Sequence, residues 1–171
     1  MEIFVPKEFP LVLLACALIC AECVVIGVIS AIGARSTHFT EQFMQQFQAE
    51  HQKAFPETKA ATLGHPDAGD GRYSEKLPYK SWVEFNNSMR VHQNFVEYLP
   101  VILALILIGG LIYPKCAVAV GFNFALCRGI YTVMYMKLGS DARYIGAIGG
   151  TGPVFALGLS SFVSLVFQYL I

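Results

Sequence analysis

Two stripes of polar side chains interrupt an otherwise apolar chain. Arg90, Asn94, Glu97 and Tyr98 fall at offsets 0, 4, 7 and 8, the spacing that puts them on one face of a helix. Arg128, Tyr131 and Tyr135 follow at offsets 0, 3 and 7, again one face, and Arg143 lies just beyond. The set offers three guanidiniums, one carboxylate, one amide and three phenols. Arginine forks pair with carboxylates, a glutamate pairs with an ammonium, and asparagine reads amide groups. Such a set suits an anionic, peptide-like ligand. Internal pairing is the alternative: Arg90 with Glu97, and Arg128 with a backbone carbonyl. Three arginines against one glutamate leave positive charge uncompensated, which favours the anion site.

These residues must be positioned by helices that sit in lipid. The 171 residues are 55% hydrophobic and 14% charged, against roughly 45–50% and 25% for soluble domains. The apolar residues come in four long runs, which predict helices over about 9–32, 81–113, 116–136 and 144–171. The first would be about 35 Å long, enough for a hydrocarbon core of about 30 Å. It is broken only by Glu22, and its apolar run is too long for a cleaved signal, so it reads as a retained helix. The apolar body of the second starts at Phe95, and Pro100 should kink it. The expected fold is an all-α integral membrane protein, a four-transmembrane-helix bundle forming one domain. An ionisable side chain in such a helix is costly, so it faces the bundle interior or a polar cavity.

Basic residues give the orientation. Residues 33–80 carry Arg35, Lys53, Lys59, Arg72, Lys76 and Lys80, and the third loop adds Lys137 and Arg143. The other side has only Lys7 and Lys115. That bias places the first and third loops in the cytosol. Both polar stripes then meet at the cytosolic membrane level. With 12 basic and 12 acidic residues there is no basic excess to grip phosphates, so nucleic acid is not an expected partner.

The polar loop 33–80 divides in two. Phe39, Phe43, Phe47 and Phe55, with Met44, predict an amphipathic helix from about His38 to Phe55, while residues 56–79 read as irregular loop. Asp67 and Asp70 lack calcium-loop spacing. Cys16, Cys20, Cys23, Cys116 and Cys127 read as small packing residues, with no metal site and no disulfide framework.

In the motif Phe85-Asn86, then Arg90-x-His92-Gln93-Asn94-x-x-Glu97 with Pro100, supported by Arg128-x-x-Tyr131-x-x-x-Tyr135, the chain resembles the MAPEG superfamily. These are the membrane-associated proteins in eicosanoid and glutathione metabolism, and the likeness is closest to the microsomal glutathione transferase 3 group. The resemblance implies a homotrimer that binds glutathione as co-substrate between subunits at the cytosolic side. It assigns Arg90, Asn94, Glu97, Tyr98, Arg128 and Tyr131 to glutathione binding, with Arg35 as the arginine at the end of the first helix. Arg143, one residue farther along than a gapless match, and Tyr135 take the catalytic positions.

The implied activity is a glutathione transferase or peroxidase acting on lipophilic electrophiles or lipid hydroperoxides. Membrane lipids and a lipophilic substrate are the expected partners. The membrane is that of the endoplasmic reticulum, with a mitochondrial membrane as the alternative. The competing function is a non-catalytic lipid-binding adaptor or accessory subunit of a larger membrane complex. A channel is disfavoured, because the fourth helix lacks charge and the polar residues gather at one end.

Overall fold

The computed structural model describes residues 5–169, and every regular element among them is helical. The helices are α1 Phe9–Gly27, α2 Gly33–His38, α3 Glu41–Gln45, α4 Gln48–Ala54, α5 Tyr79–Ile112, α6 Pro114–Leu138 and α7 Tyr144–Tyr169. Four stretches are long and apolar enough to cross a bilayer: Phe9–His38, Tyr79–Ile112, Pro114–Leu138 and Ser140–Gln168. The chain is thus a four-helix integral membrane protein. Residues 170 and 171, at the expected end of the fourth span, lie outside the described residues.

Helix formation outlasts the apolar runs in two places. The first helix passes through a π-turn, Val28–Ile32, into α2, six residues past its expected end. The hydroxyls of Ser36 and Thr37 donate to the Gly33 carbonyl, so both polar side chains are satisfied within the helix. At 34 residues, α5 is about 51 Å long and outreaches the hydrocarbon core. It runs through Pro100 as one helix.

The residues form two compact units. One comprises the chain up to Val24 together with everything from Asn94 onward; the other is Val25–Gln93. In the first, Val12, Ala15, Ile19, Phe95, Ile102, Ile106 and Val154 are buried. Small residues let its helices approach closely, as lipid-embedded packing requires. A Cβ on Gly110 would meet Val12 at 2.7 Å, and one on Gly146 would meet the backbone of Cys127 and Tyr131 at 2.7 Å.

The second unit corrects the expected amphipathic helix. The stretch is broken into α2, α3 and α4, because Thr40 takes an extended conformation and accepts the Phe43 N–H at 3.2 Å, starting a new helix. The phenylalanine periodicity nevertheless serves burial. Phe39, Met44, Leu77 and the fully buried Phe85 form a core flanked by Phe43, Phe47 and Tyr73. Asn86 donates from Nδ2 to the Gly69 carbonyl at 3.0 Å. The adjacent Phe85 and Asn86 therefore fasten the loop onto α5.

Asp67 organises the rest of that loop. Its carboxylate accepts the N–H groups of Gly69, Gly71, Tyr73 and Ser74 and the Ser74 hydroxyl, at 2.7–3.1 Å. Burial pushes its pKa up, but the bonds from Ser74, Gly69 and Gly71 outweigh burial and hold it below the ordinary value. A depressed folded pKa means that this stabilisation is present above the unfolded value, about 3.9, and is lost as pH falls through the folded pKa. Between pH 5 and 8 this group should therefore leave loop stability unchanged. Below about pH 3.9, amide protection across residues 62–76 should fall once intrinsic exchange rates are corrected for. Asp67→Asn should lower it already at pH 7, since bonds to a charged group are worth about 1.5–3 kcal/mol each before redundancy. Equal protection in Asp67→Asn and the parent would show that the turn holds without this carboxylate.

Candidate functional site

The first unit brings most of the polar stripes together. Asn94 donates from Nδ2 to the Tyr131 hydroxyl at 2.8 Å, joining α5 to α6. Arg128 is buried, with its guanidinium carbon 4.4 Å from the Phe95 ring centre and 4.2 Å from that of Tyr131. It is layered between two rings whose faces attract the cation. Tyr131 and Tyr135 are also buried, their ring centres 5.6 Å apart. Thr132 returns its hydroxyl to the Arg128 carbonyl at 3.0 Å, so it adds no exposed polarity.

Arg143 reaches this row through a turn that only glycine forms easily. Helix α6 ends at Gly139, whose φ of 87° and N–H bond to the Tyr135 carbonyl cap the last turn. The short helical turn Ser140–Arg143 follows and leads into α7. The Arg143 guanidinium carbon then lies 5.8 Å from the Tyr135 ring centre and 5.4 Å from that of Tyr144. A partly exposed cation thus stands beside a buried phenol, an arrangement that can stabilise an anion arriving from water.

The remaining candidates have different settings. Glu97 and Tyr98 lie on an exposed face of α5 beside the exposed Val96 and Val101. Glu97 is in no ion pair among the described residues. Arg90, in the other unit, is exposed and donates to Gln93 Oε1 at 3.0 Å. Arg35, in that same unit, is buried. It donates to the carbonyls of Leu63 and Asp67, and its guanidinium lies 5.8 Å from the Phe85 ring centre. Those contacts tie Arg35 to the loop fold.

One residue beside this row had been visible only as a break in an apolar run. Glu22, on α1, lies against α6, its Oε1 3.7 Å from where a Cβ on Gly129 would stand. Its signal in the sequence was a lone carboxylate inside a spanning helix, which names no partner.

An amide–phenol link, a ring-layered arginine and a phenol–arginine pair thus occur in one membrane-embedded helical unit. A sequence model of the MAPEG family matches residues 9–163, which take in the first three spans, most of the fourth and both polar stripes. The chain is a member of the MAPEG family.

Proposed function

We propose that the protein is a membrane-bound glutathione transferase or peroxidase, of the microsomal glutathione transferase 3 kind, that works on lipophilic electrophiles or lipid hydroperoxides. The observation that carries this reading is the pairing of Arg143 with Tyr135, beside Tyr131 held by Asn94, in a member of this family. A thiol has a pKa of about 8.5, and only its thiolate attacks. A guanidinium within reach favours the thiolate and lowers that pKa.

Two reactions follow from one thiolate. It can attack an electrophilic carbon, forming a C–S bond while a leaving group departs to water or, in conjugate addition, while the adduct takes up a proton. It can also attack a hydroperoxide oxygen, releasing the alcohol; a second glutathione then gives the disulfide and water. Glutathione comes from the aqueous side and the apolar partner from the bilayer, so a site at the membrane surface serves both. The protein's own share is positioning and thiolate stabilisation. Arg90, Glu97 and Tyr98 join the set by motif match, as partners for the carboxylates and ammonium of the tripeptide.

A homotrimer is part of the proposal. Glu97 and Tyr98 occupy an exposed face of a spanning helix, and a carboxylate there needs shielding from lipid. A second copy of the chain would supply it. The deciding experiment is glutathione binding to the purified protein in mild detergent, with cross-linking of the same sample. Saturable binding below millimolar glutathione and species up to three subunits are expected. No binding at millimolar glutathione would move the assignment to a lipid-binding adaptor. A fixed assembly with unrelated subunits would point to an accessory role.

The orientation is tested separately. Protease added to sealed microsomes should cut within residues 56–80 and spare tags at both ends. A protected first loop would put the site on the wrong side for cytosolic glutathione.

A further inference from the structure

Helix α7 runs from Tyr144 to Tyr169 with Pro153 inside it. Proline has no N–H, so the carbonyl four residues earlier, that of Gly149, has no α-helical donor. In a lipid-embedded helix such a freed carbonyl is costly unless a neighbour donates to it. Asn123 does so from α6. Its Nδ2 donates to the Gly149 carbonyl oxygen at 2.8 Å. The other end of the same amide is also engaged. The Cys127 thiol, about one turn farther along α6, lies 3.8 Å from Asn123 Oδ1. That contact leaves the N–H side of the amide toward α7.

Both helices are shaped for this approach. A Cβ on Gly149 would stand 3.3 Å from Cys127 Sγ, and one on Gly150 would stand 3.0 Å from Cys127 Cβ. Asn123 is half-buried inside the third span, where an amide without a partner is costly. An amide donor on α6 and a freed acceptor on α7 would each destabilise its own helix. Paired, they satisfy each other.

The bond also bears on the site. Pro153 removes one rung of the ladder that couples the two halves of α7. The first half, residues 144–152, begins one residue after Arg143 and lies against α6, which carries Tyr131 and Tyr135. A Cβ on Gly146 would meet the α6 backbone, and the Asn123 bond holds the same half of α7 about one turn farther on.

We propose that Asn123 is a positioning residue: its side-chain amide stands in for the N–H that Pro153 lacks, and the bond seats the first half of α7, with Arg143 just ahead of it, against Tyr135. The effect on turnover rests on the proposed function; the replacement of the missing donor does not.

The test uses the full chain in detergent, with Asn123→Leu, Pro153→Ala and the double variant. Alanine at 153 restores a backbone N–H for the Gly149 carbonyl, so Asn123 should matter only while Pro153 is present. Asn123→Leu should lower the melting temperature of the parent, and the loss should shrink to less than about half in the Pro153→Ala background. Should Asn123→Leu fail to fold alone, recovery of folding in the double variant is the expected result. Equal losses in the two backgrounds, or no recovery, would overturn the replacement.

Seating is read without ligand from the fluorine resonance of 3-fluorotyrosine at position 135, whose ring centre lies 5.8 Å from the Arg143 guanidinium carbon. The resonance should move in Asn123→Leu, and in the double variant it should coincide with that of Pro153→Ala. A resonance unmoved by Asn123→Leu overturns the positioning role.

With glutathione and an electrophilic arene or alkyl hydroperoxide as substrates, Asn123→Leu should lower kcat about tenfold and leave the KM for glutathione within about twofold, the pattern of a displaced group. Turnover of the double variant should lie within about twofold of Pro153→Ala alone. An unchanged kcat would overturn the seating of Arg143 by this bond. If the parent itself shows no turnover, the proposed function falls, while the unfolding cycle and the fluorine resonance still decide the role of Asn123.

Discussion

Arg143→Ala should lower turnover by roughly 10- to 150-fold while leaving glutathione affinity nearly intact. The magnitude follows from one lost charge-assisted hydrogen bond to the thiolate, about 1.5–3 kcal/mol, entered in the rate expression. The split between turnover and affinity follows from where the charge acts. Arg143 stands beside Tyr135 at the turn into α7, partly exposed and able to meet a sulfur, whereas the tripeptide's carboxylates need partners elsewhere. The thiolate absorbance of bound glutathione near neutral pH should fade in parallel. Arg90→Ala should do the reverse, weakening binding with little effect on turnover at saturation. Unchanged turnover and an unchanged thiolate signal in Arg143→Ala would leave Arg143 as a surface charge and assign thiol activation to Tyr135.

The four spans were readable because apolar runs of that length have few uses other than crossing a bilayer. What composition could not show was where helices outlast their apolar runs. Residues 33–38 read as loop because Arg35, Ser36 and Thr37 are polar, yet they continue the first helix. Their polarity is absorbed locally: the two hydroxyls return to the Gly33 carbonyl, and Arg35 turns to the carbonyls of Leu63 and Asp67. The phenylalanines at 39, 43 and 47 were correctly periodic but mark a buried cluster, since periodicity records which side chains are buried and not whether one helix carries them all. Thr40 broke the helix by capping, a local preference that outweighed the pattern.

The polar stripes illustrate the other boundary of sequence reasoning. Offsets of three, four and seven placed Arg128, Tyr131 and Tyr135 on one face, and they do share one row. Offsets within a helix say nothing about the opposing helix. The partner of Tyr131 is Asn94 on α5, and the Glu22 carboxylate of α1 lies against α6 at Gly129. Both depend on tertiary packing between segments far apart in the chain. The same limit applies to Arg35, whose place at the end of the first helix was legible while its loop carbonyl partners were not.

Gly146→Ala should reduce turnover about a hundredfold at a modest cost in stability. The added Cβ would stand 2.7 Å from the Cys127 carbonyl oxygen and from the Tyr131 amide nitrogen, and 2.8 Å from the Tyr131 Cα. These are backbone atoms in the middle of α6, so no side chain can swing aside to make room. The two helices must separate by several tenths of an ångström to restore ordinary contact, which costs about 1–3 kcal/mol as overpacking. The displacement falls where it matters for chemistry. Arg143 precedes α7 by one residue, and Tyr131 and Tyr135 ride on α6, so parting the helices moves the guanidinium away from the phenols. A misplacement of about 1 Å can cost on the order of a hundredfold in rate. Gly152, two residues past the Gly149–Gly150 pair, is the control, since a Cβ there meets nothing within 4 Å. Gly152→Ala should leave both melting temperature and turnover close to the parent. If Gly146→Ala keeps full turnover, the approach of α6 to α7 at Tyr131 does not set the geometry of the site. The pairing of Arg143 with Tyr135 would then have to be maintained by the turn at Gly139, and Gly139→Ala, strained at a φ of 87°, would become the substitution that separates them.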